Sequence, residues 1–441
     1  MFGWIPVVLW LFLVLPPRRA VITAFLVAWL FLPNARYSLP GLPDYTKMSA
    51  TVLGVLLSTC LFDLDRLLKF RPRWFDMPVV VLCLSPMMSS LLNELGVHDG
   101  LSHIFWNMNT WALPYFIGRL YFNTREGLRE AALGIFIGGL IYMPLCLWEI
   151  RMSPGLHKDL YGFRQHSFRA GARYGGYRPL VFMWSYIPVV HWMTMATLSG
   201  FWLWRKSKLE RVWGIRTGFL LVGMLITLAL CKTLFAAILL PLGIFVLWWG
   251  ARSRSALPFL LVALFVPFYI SIRATGLWSA QQLVDVAILF DERRSQSLNT
   301  RIVNENKIAA KALQRPFFGW GRHGRWHVHN EYGKQTSLSD GLWIITLGSQ
   351  GLVGLACVIA IFTLPLVRFV RRYPPQFWAH PDIAPVALIA VLVLLTYVNN
   401  IPNSTINPIV TALIGGLASL ERVKRPTEEE KAEKAGRRFY Y

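Results

Sequence analysis

The sequence predicts an all-α polytopic integral membrane protein with about 11 to 13 transmembrane helices and a large outer loop that contains short helices. Of its 441 residues, 55% are hydrophobic. Apolar runs of roughly 17–25 residues recur along the chain, and each is long enough to cross a bilayer. Basic residues cluster in the short loops at alternate ends of these runs, as cytoplasmic loops of membrane proteins do.

The candidate spans follow directly from the apolar runs, and the first two are short enough to form a single hairpin. They are residues 2–16, 20–33, 48–63, 77–95, 102–119, 131–149, 179–204, 215–231, 233–249, 256–272, 342–367, 383–399 and 403–420. The first run lacks a basic start and a small-residue cleavage site, so we interpret it as a spanning helix and not as a cleaved signal peptide.

The net charge of +22 would suggest nucleic-acid binding in a soluble protein, but in a membrane protein much of it reflects loop topology. We therefore expect membrane lipids as partners and no nucleic acid. The five cysteines all lie in apolar runs, without metal-like spacing, and indicate no disulfide framework.

Short basic loops follow the odd-numbered spans, which places those loops in the cytoplasm and the remaining loops outside. The chain then divides into N-terminal transmembrane helices with an outer loop, a large outer loop, C-terminal transmembrane helices and a charged cytoplasmic tail. The respective ranges are 1–272 (with outer loop 150–178), 273–341, 342–420 and 421–441. Both long outer loops are rich in arginine, although basic residues normally concentrate in cytoplasmic loops, a tendency that we call the charge rule. This excess of arginine suggests that the two loops bind an anion.

The first outer loop has six basic residues in 151–178 and one acid, Asp159. Arg173 and Arg178 flank a glycine-rich stretch at the mouth of the seventh span. Arginine suits phosphate because its planar guanidinium donates two hydrogen bonds at once. Both residues are candidates for phosphate binding, although lipid headgroups or carboxylates are alternative partners for such arginines.

The second outer loop carries a helix signal over about 298–315 that stops at Pro316. One face is apolar, and the other carries polar and basic residues, namely Arg301, Asn304, Lys311 and Arg315. This pattern predicts an interfacial helix whose basic face meets headgroup phosphates.

Three candidate catalytic residues follow in the sequence: His327, His329 and Asp340. Each could act as a general base that removes a proton from a hydroxyl. The two histidines could instead bind a metal with a third ligand such as His323 or Glu331, or they could simply form hydrogen bonds in a polar loop.

Three sequence stretches resemble the O-antigen ligase and O-antigen polymerase family of polytopic membrane glycosyltransferases. The first is Arg301 with its helix and the following Pro316-x-x-Gly319-x-Gly321. The second is the stretch from Asp340 to Leu347 with Gly351-Leu-Val-Gly354, and the third is Arg173-x-Gly175-x-x-Arg178-Pro179. The position of the family histidine falls on Asp340, and the His-Val-His stretch lies about eleven residues earlier.

The resemblance implies metal-independent, cofactor-free transfer of a glycan from a polyprenyl-diphosphate-linked donor to a hydroxyl of a glycan or glycolipid acceptor. Arg173 or Arg178, together with Arg301, would hold the diphosphate. The reaction would occur at the periplasmic face of a bacterial inner membrane, in surface polysaccharide biosynthesis and in contact with export partners. Ligase and polymerase activity both remain open.

Two other classes of function fit the same composition. A transporter or flippase for an anionic glycolipid would use the arginines for capture alone, and it should carry cations along an internal path. A structural scaffold in an export complex would leave the outer arginines without a role.

Overall fold

The computed structural model describes residues 1–38, 44–167, 171–173, 175–289 and 292–420, without the side chains of Arg173, Arg293 and Arg294. The predicted cytoplasmic tail, 421–441, lies outside the described residues. So does Arg169, one of the six basic residues of the first outer loop.

The described chain is an all-α polytopic membrane protein in which three two-residue hairpins are the only paired strands. Its α-helices in chain order are α1 Trp4–Val14, α2 Pro17–Phe31, α3 Lys47–Phe62, α4 Leu64–Leu68, α5 Met77–Leu92, α6 Val97–Asn107, α7 Leu113–Tyr121, α8 Arg125–Met152, α9 Leu156–Tyr161, α10 Tyr186–Lys206, α11 Thr217–Leu230, α12 Leu234–Ser253, α13 Leu257–Ala274, α14 Gln281–Ile288, α15 Glu292–Ala312, α16 Leu342–Arg372, α17 Ala384–Asn399 and α18 Pro408–Ser419. The hairpins are β1 Arg36–Tyr37 with β2 Tyr45–Thr46, β3 Ala172–Arg173 with β4 Gly176–Tyr177, and β5 Arg211–Val212 with β6 Ile215–Arg216.

Every one of the predicted spans overlaps a helix, although the helix of the seventh span, α10, begins only at Tyr186. Within the described ranges, five helical segments are long and apolar enough to cross a bilayer, and five further apolar helices have 10–17 residues. The fifth span is continuous only because a π-helical turn, Met108–Ala112, joins α6 to α7. The last begins later than predicted, because residues 400–407 form an asparagine-rich turn before α18.

The centre of the bundle is α17, in which nearly every side chain is buried. It packs against α8, α10, α12, α16 and α18, so it touches protein where the outer helices touch lipid. Such a helix is apolar around its whole circumference, as a fully enclosed helix should be.

Contacts between loops support the predicted division into two ends. At the end predicted to be cytoplasmic, Arg18 pairs with Glu126 at 3.3 Å and Arg19 pairs with Glu130 at 3.1 Å. At the opposite end, contacts join Asn34 to His157, Asp99 to Arg325, and Arg301 to Pro402. These contacts join loops assigned to the same end, and we name the second group the outer end.

Candidate functional site

The helix predicted at about 298–315 is α15, which begins earlier, at Glu292, and ends at Ala312. Its apolar side does not lie free for a membrane surface. Ile302 is 2% exposed and packs with Val284 of α14. Ile308, which interrupts the polar face in sequence, is fully buried in the main core. The apolar side of α15 therefore packs against α14, α13 and α16, and contact of its basic face with headgroups stays a prediction.

Segment 325–340 contacts part of the polar face of α15, whereas Arg315 on this face is exposed and Arg301 is partly exposed. Lys311 Nζ donates to the carbonyl oxygens of Arg325 at 2.8 Å and His327 at 2.5 Å. Asn304 Oδ1 accepts from the N–H of Leu338 at 3.0 Å. Residues with higher numbers in α15 contact residues with lower numbers in the loop. Segment 325–340 therefore runs antiparallel to α15. Burial lowers the pKa of the Lys311 ammonium, which already contacts two carbonyl dipoles.

Arg301 and Asp340, far apart in sequence, meet at one end of this face. Arg301 Nε lies 3.4 Å from Asp340 Oδ2, and a second guanidinium nitrogen donates to the Pro402 carbonyl at 3.3 Å. The side chains are 32% and 54% exposed, so both remain accessible to a ligand. An ion pair this exposed contributes only about 0–1 kcal/mol, and a multiply charged anion can displace the carboxylate.

His327 lies toward the other end of the face. Its Nδ1 is 3.2 Å from Ser337 Oγ, and its ring stacks at a tilt on Trp326. Burial, followed by the charges of His329 and Lys311, lowers the pKa of His327 from the ordinary 6.5. The lowered pKa favours the neutral form of the imidazole. The tautomer whose Nδ1–H donates to Ser337 leaves Nε2 able to accept a proton.

His329 is exposed and makes a backbone bridge to Gln335, at the tip of the loop. The contacts therefore divide the three predicted catalytic residues: Asp340 touches Arg301, whereas His327 is held beside Lys311. Ten residues of helix separate Arg301 from Lys311, which is about 15 Å along the axis. Among the described residues, no group of three His, Cys, Asp or Glu side chains is arranged to hold a metal ion.

The connector Pro316–Gly321 docks into a break in α16. Gly351 has φ +65° and ψ −161°, a conformation open almost only to glycine, and it interrupts the helix there. Trp320 N–H and Gly321 N–H donate to the carbonyls of Gly348 and Ser349 at 2.9 and 3.0 Å. In return, Leu352 N–H donates to Pro316 at 2.7 Å and Val353 N–H to Phe317 at 3.2 Å.

This backbone exchange satisfies groups that the break would otherwise leave without partners. The break lies nine residues after Leu342, about 13 Å along the helix from its outer end. This placement is typical of a re-entrant segment, in which non-helical backbone is tolerated because protein surrounds it. The connector joins the C-terminal end of α15 to the start of the loop that carries His327 and His329.

A buried network of polar side chains stabilises the break in α16. Gln350 Oε1 accepts from Ser85 Oγ at 3.1 Å and from Asn107 Nδ2 at 3.2 Å. Asn93 Nδ2 donates to the Gly319 carbonyl at 2.9 Å. Helices α5, α6 and α16 therefore hold the connector together, and this explains several polar residues inside predicted spans.

Arg173 is the last residue of β3 in the first outer loop, and Arg178 follows β4 directly. The backbone of Arg173 pairs with Gly176, and its side chain lies outside the described part of the structure. The guanidinium of Arg178 lies 4.6 Å from the ring centre of Tyr186. The backbone N–H of Arg178 donates to the Gly171 carbonyl. That these arginines share a ligand with Arg301 stays a prediction.

The backbone of this loop is organised by Glu149, a buried carboxylate at the end of α8. Its oxygens accept from the N–H groups of Gly155, Leu156, Leu180 and Val181 at 2.7–3.1 Å. One side chain thus joins both ends of the loop that carries Arg173 and Arg178.

Two ion pairs near the site were not predicted from the sequence. Arg273, 2% exposed, donates to Glu305 at 2.9 Å and to Asn306 at 2.6 Å, which pins α15 to α13. Burial raises the pKa of the Glu305 carboxyl, while Arg273 opposes this shift. Arg325 makes a two-fold contact with Asp99 at 3.0 and 3.1 Å.

The sequence contained partial signals for both pairs. Glu305 is an acid within a helix rich in basic and amide residues, and Asp99 is an acid in a short outer loop. Their partners lie 32 and 226 residues away, so no local pattern identifies them.

Comparison with known proteins does not place the chain in a family. No family model matches this sequence, and no match emerges among curated proteins. The resemblance to the ligase and polymerase family therefore rests on the three motifs alone.

Proposed function

We propose that this protein is a membrane glycosyltransferase that moves a saccharide from a polyprenyl diphosphate carrier to an acceptor hydroxyl. The outer end would face the periplasm of a bacterial inner membrane, and the product would be a surface polysaccharide. The observation that carries the proposal is the accessible Arg301–Asp340 pair at the mouth of α16, beside the docked Pro316–Gly321 connector.

The chemistry needs a cation for the leaving group and a base for the acceptor. As the acceptor oxygen bonds to the anomeric carbon, the bond from that carbon to the diphosphate oxygen breaks. The diphosphate leaves with the electron pair, and a guanidinium stabilises the charge that develops on it. The acceptor proton passes to a carboxylate or a neutral imidazole.

Asp340 is the base candidate that the geometry favours, because it contacts Arg301. A diphosphate bound at Arg301 would displace the carboxylate from the ion pair and leave it beside the reacting carbon. For His327 to serve, the ligand would have to extend along the face of α15, or loop 325–340 would have to move. The family's histidine position also falls on Asp340.

The contacts of the buried cations favour a reaction at the outer surface over transport of a ligand through the interior. Lys47 donates to the Trp29 and Leu32 carbonyls, Arg119 pairs with Asp76, and Arg273 pairs with Glu305. Each of these cations lies near the end of its helix and contacts protein carbonyls or carboxylates. A flippase path would need cations that are available to the ligand along its length.

The direct test is glycan transfer by the purified protein in proteoliposomes with a polyprenyl-diphosphate-linked donor. Removing Arg301 as Arg301→Gln should lower turnover by about 100-fold or more, the usual scale for loss of a group that stabilises transition-state charge. Lys307→Gln is the matched control, because Lys307 lies on the same helix, is exposed and carries the same charge. Equal turnover of both variants would refute the role of Arg301 in binding the diphosphate.

The variants Asp340→Ala, His327→Ala and His329→Ala, measured together, identify the base, and we expect the first to be the least active. Arg173→Ala tests whether the first outer loop takes part. Mass analysis of surface glycans from cells with and without the protein separates the two activities: loss of capping indicates a ligase, and shortened chains indicate a polymerase.

A further inference from the structure

A β-hairpin joins α10 to α11 at the end opposite the candidate active site. Its turn residues, Trp213 and Gly214, have φ values of +51° and +80°, which is the geometry of a two-residue hairpin turn. The register places Arg211 directly opposite Arg216. Like charges in this position repel each other, so the pair destabilises the hairpin unless an anion lies between them.

The same two arginines line a cavity of about 500 Å³. Trp204 at the end of α10 and Gly218, Phe219 and Val222 at the start of α11 form its other walls, together with Glu210. Phe219 is 71% exposed and Val222 54% exposed, on an apolar helix of 14 residues. The cavity therefore has a cationic entrance and continues onto a helix surface that faces lipid.

The charges of the cavity wall suit a ligand with one negative charge. Two arginines and one glutamate leave a single net positive charge. Neither Arg211 nor Arg216 belongs to any ion pair among the described residues.

We propose that this cavity binds a phospholipid with a monoanionic headgroup. The phosphodiester lies between Arg211 and Arg216, and an acyl chain follows Phe219 and Val222 along α11. Tryptophan and arginine at the end of a spanning helix match the depth of the headgroups. By the charge rule this end faces the cytoplasm, whose leaflet is rich in anionic lipid.

Native mass spectrometry of the delipidated full-length protein tests the site, with phosphatidylglycerol or phosphatidylethanolamine added in steps. Phosphatidylglycerol should bind more tightly by about fivefold, the effect of one charge near a membrane surface. The double variant Arg211→Gln/Arg216→Gln should lose about 30-fold in affinity for phosphatidylglycerol, because two such charges are removed. Inorganic phosphate should not compete, because it lacks the acyl chain.

The matched control is Arg252→Gln/Arg254→Gln, which removes two exposed arginines at the same end of the molecule. It should bind phosphatidylglycerol like the parent protein. Equal losses in both double variants, or equal binding of the two lipids, would overturn the proposal. Truncation after residue 420 should leave the affinity unchanged.

Discussion

Replacing Gly319 by alanine tests the docking of the connector into the break of α16. Gly319 has φ +68°, and an added Cβ would lie 2.7 Å from three backbone atoms, namely Gln350 N, Gly348 O and Gly351 N. Backbone cannot swing aside as a flexible side chain can, so the connector must move out of the break. The left-handed conformation itself costs an alanine about 1–2 kcal/mol.

The larger part of the cost comes from hydrogen bonds that break when the connector moves. Three of them depend on its position: Trp320 N–H to Gly348, Gly321 N–H to Ser349, and Asn93 Nδ2 to the Gly319 carbonyl. Each buried bond contributes about 1 kcal/mol net. Together with the backbone strain, Gly319→Ala should lower the free energy of unfolding by about 4–5 kcal/mol.

Gly276→Ala is the matched control. Gly276 has a similar φ of +74°, but an added Cβ meets nothing within 4 Å. It should cost only the strain, about 1–2 kcal/mol. Equilibrium unfolding in mixed micelles, followed by tryptophan fluorescence, measures both variants. Equal destabilisation by the two substitutions would refute the docking argument, because strain alone would then account for the whole effect.

Two further predictions concern the surroundings of the site. Arg273→Met should destabilise the protein by about 3–5 kcal/mol, because it leaves Glu305 buried without its cation, and Arg273→Met/Glu305→Leu should recover much of this in the same unfolding assay. If the double variant is no more stable than the single one, the ion pair is not the reason for the loss. If His327 accepts the proton, the transfer rate should fall as pH drops through its lowered pKa, below the ordinary value of 6.5, because protonation removes the accepting lone pair. A pH–rate profile measures this, and an acid limb that is the same in His327→Gln would assign it to another group.

The polar face of α15 shows how far a periodic pattern can be used. The spacing of Arg301, Asn304 and Lys311 places them on one side of a helix, and the structure confirms this arrangement. The pattern did not reveal that loop 325–340 contacts part of that side, at Asn304 and Lys311. The period of a helix reveals which residues share a face, but it contains no information about the partner of that face.

The amino-acid sequence by itself determined the membrane-spanning helices and the grouping of loops at two ends. Hydrophobic length and loop charge are local properties, and the bilayer acts on each segment separately. Only the tertiary structure decided that Arg301 contacts Asp340 and that Lys311 binds the backbone of loop 325–340. The docking of the connector into α16 at Gly351 was also decided only by the tertiary structure. These contacts join segments up to tens of residues apart, and they depend on how the helices pack against each other, which no local pattern of residues specifies.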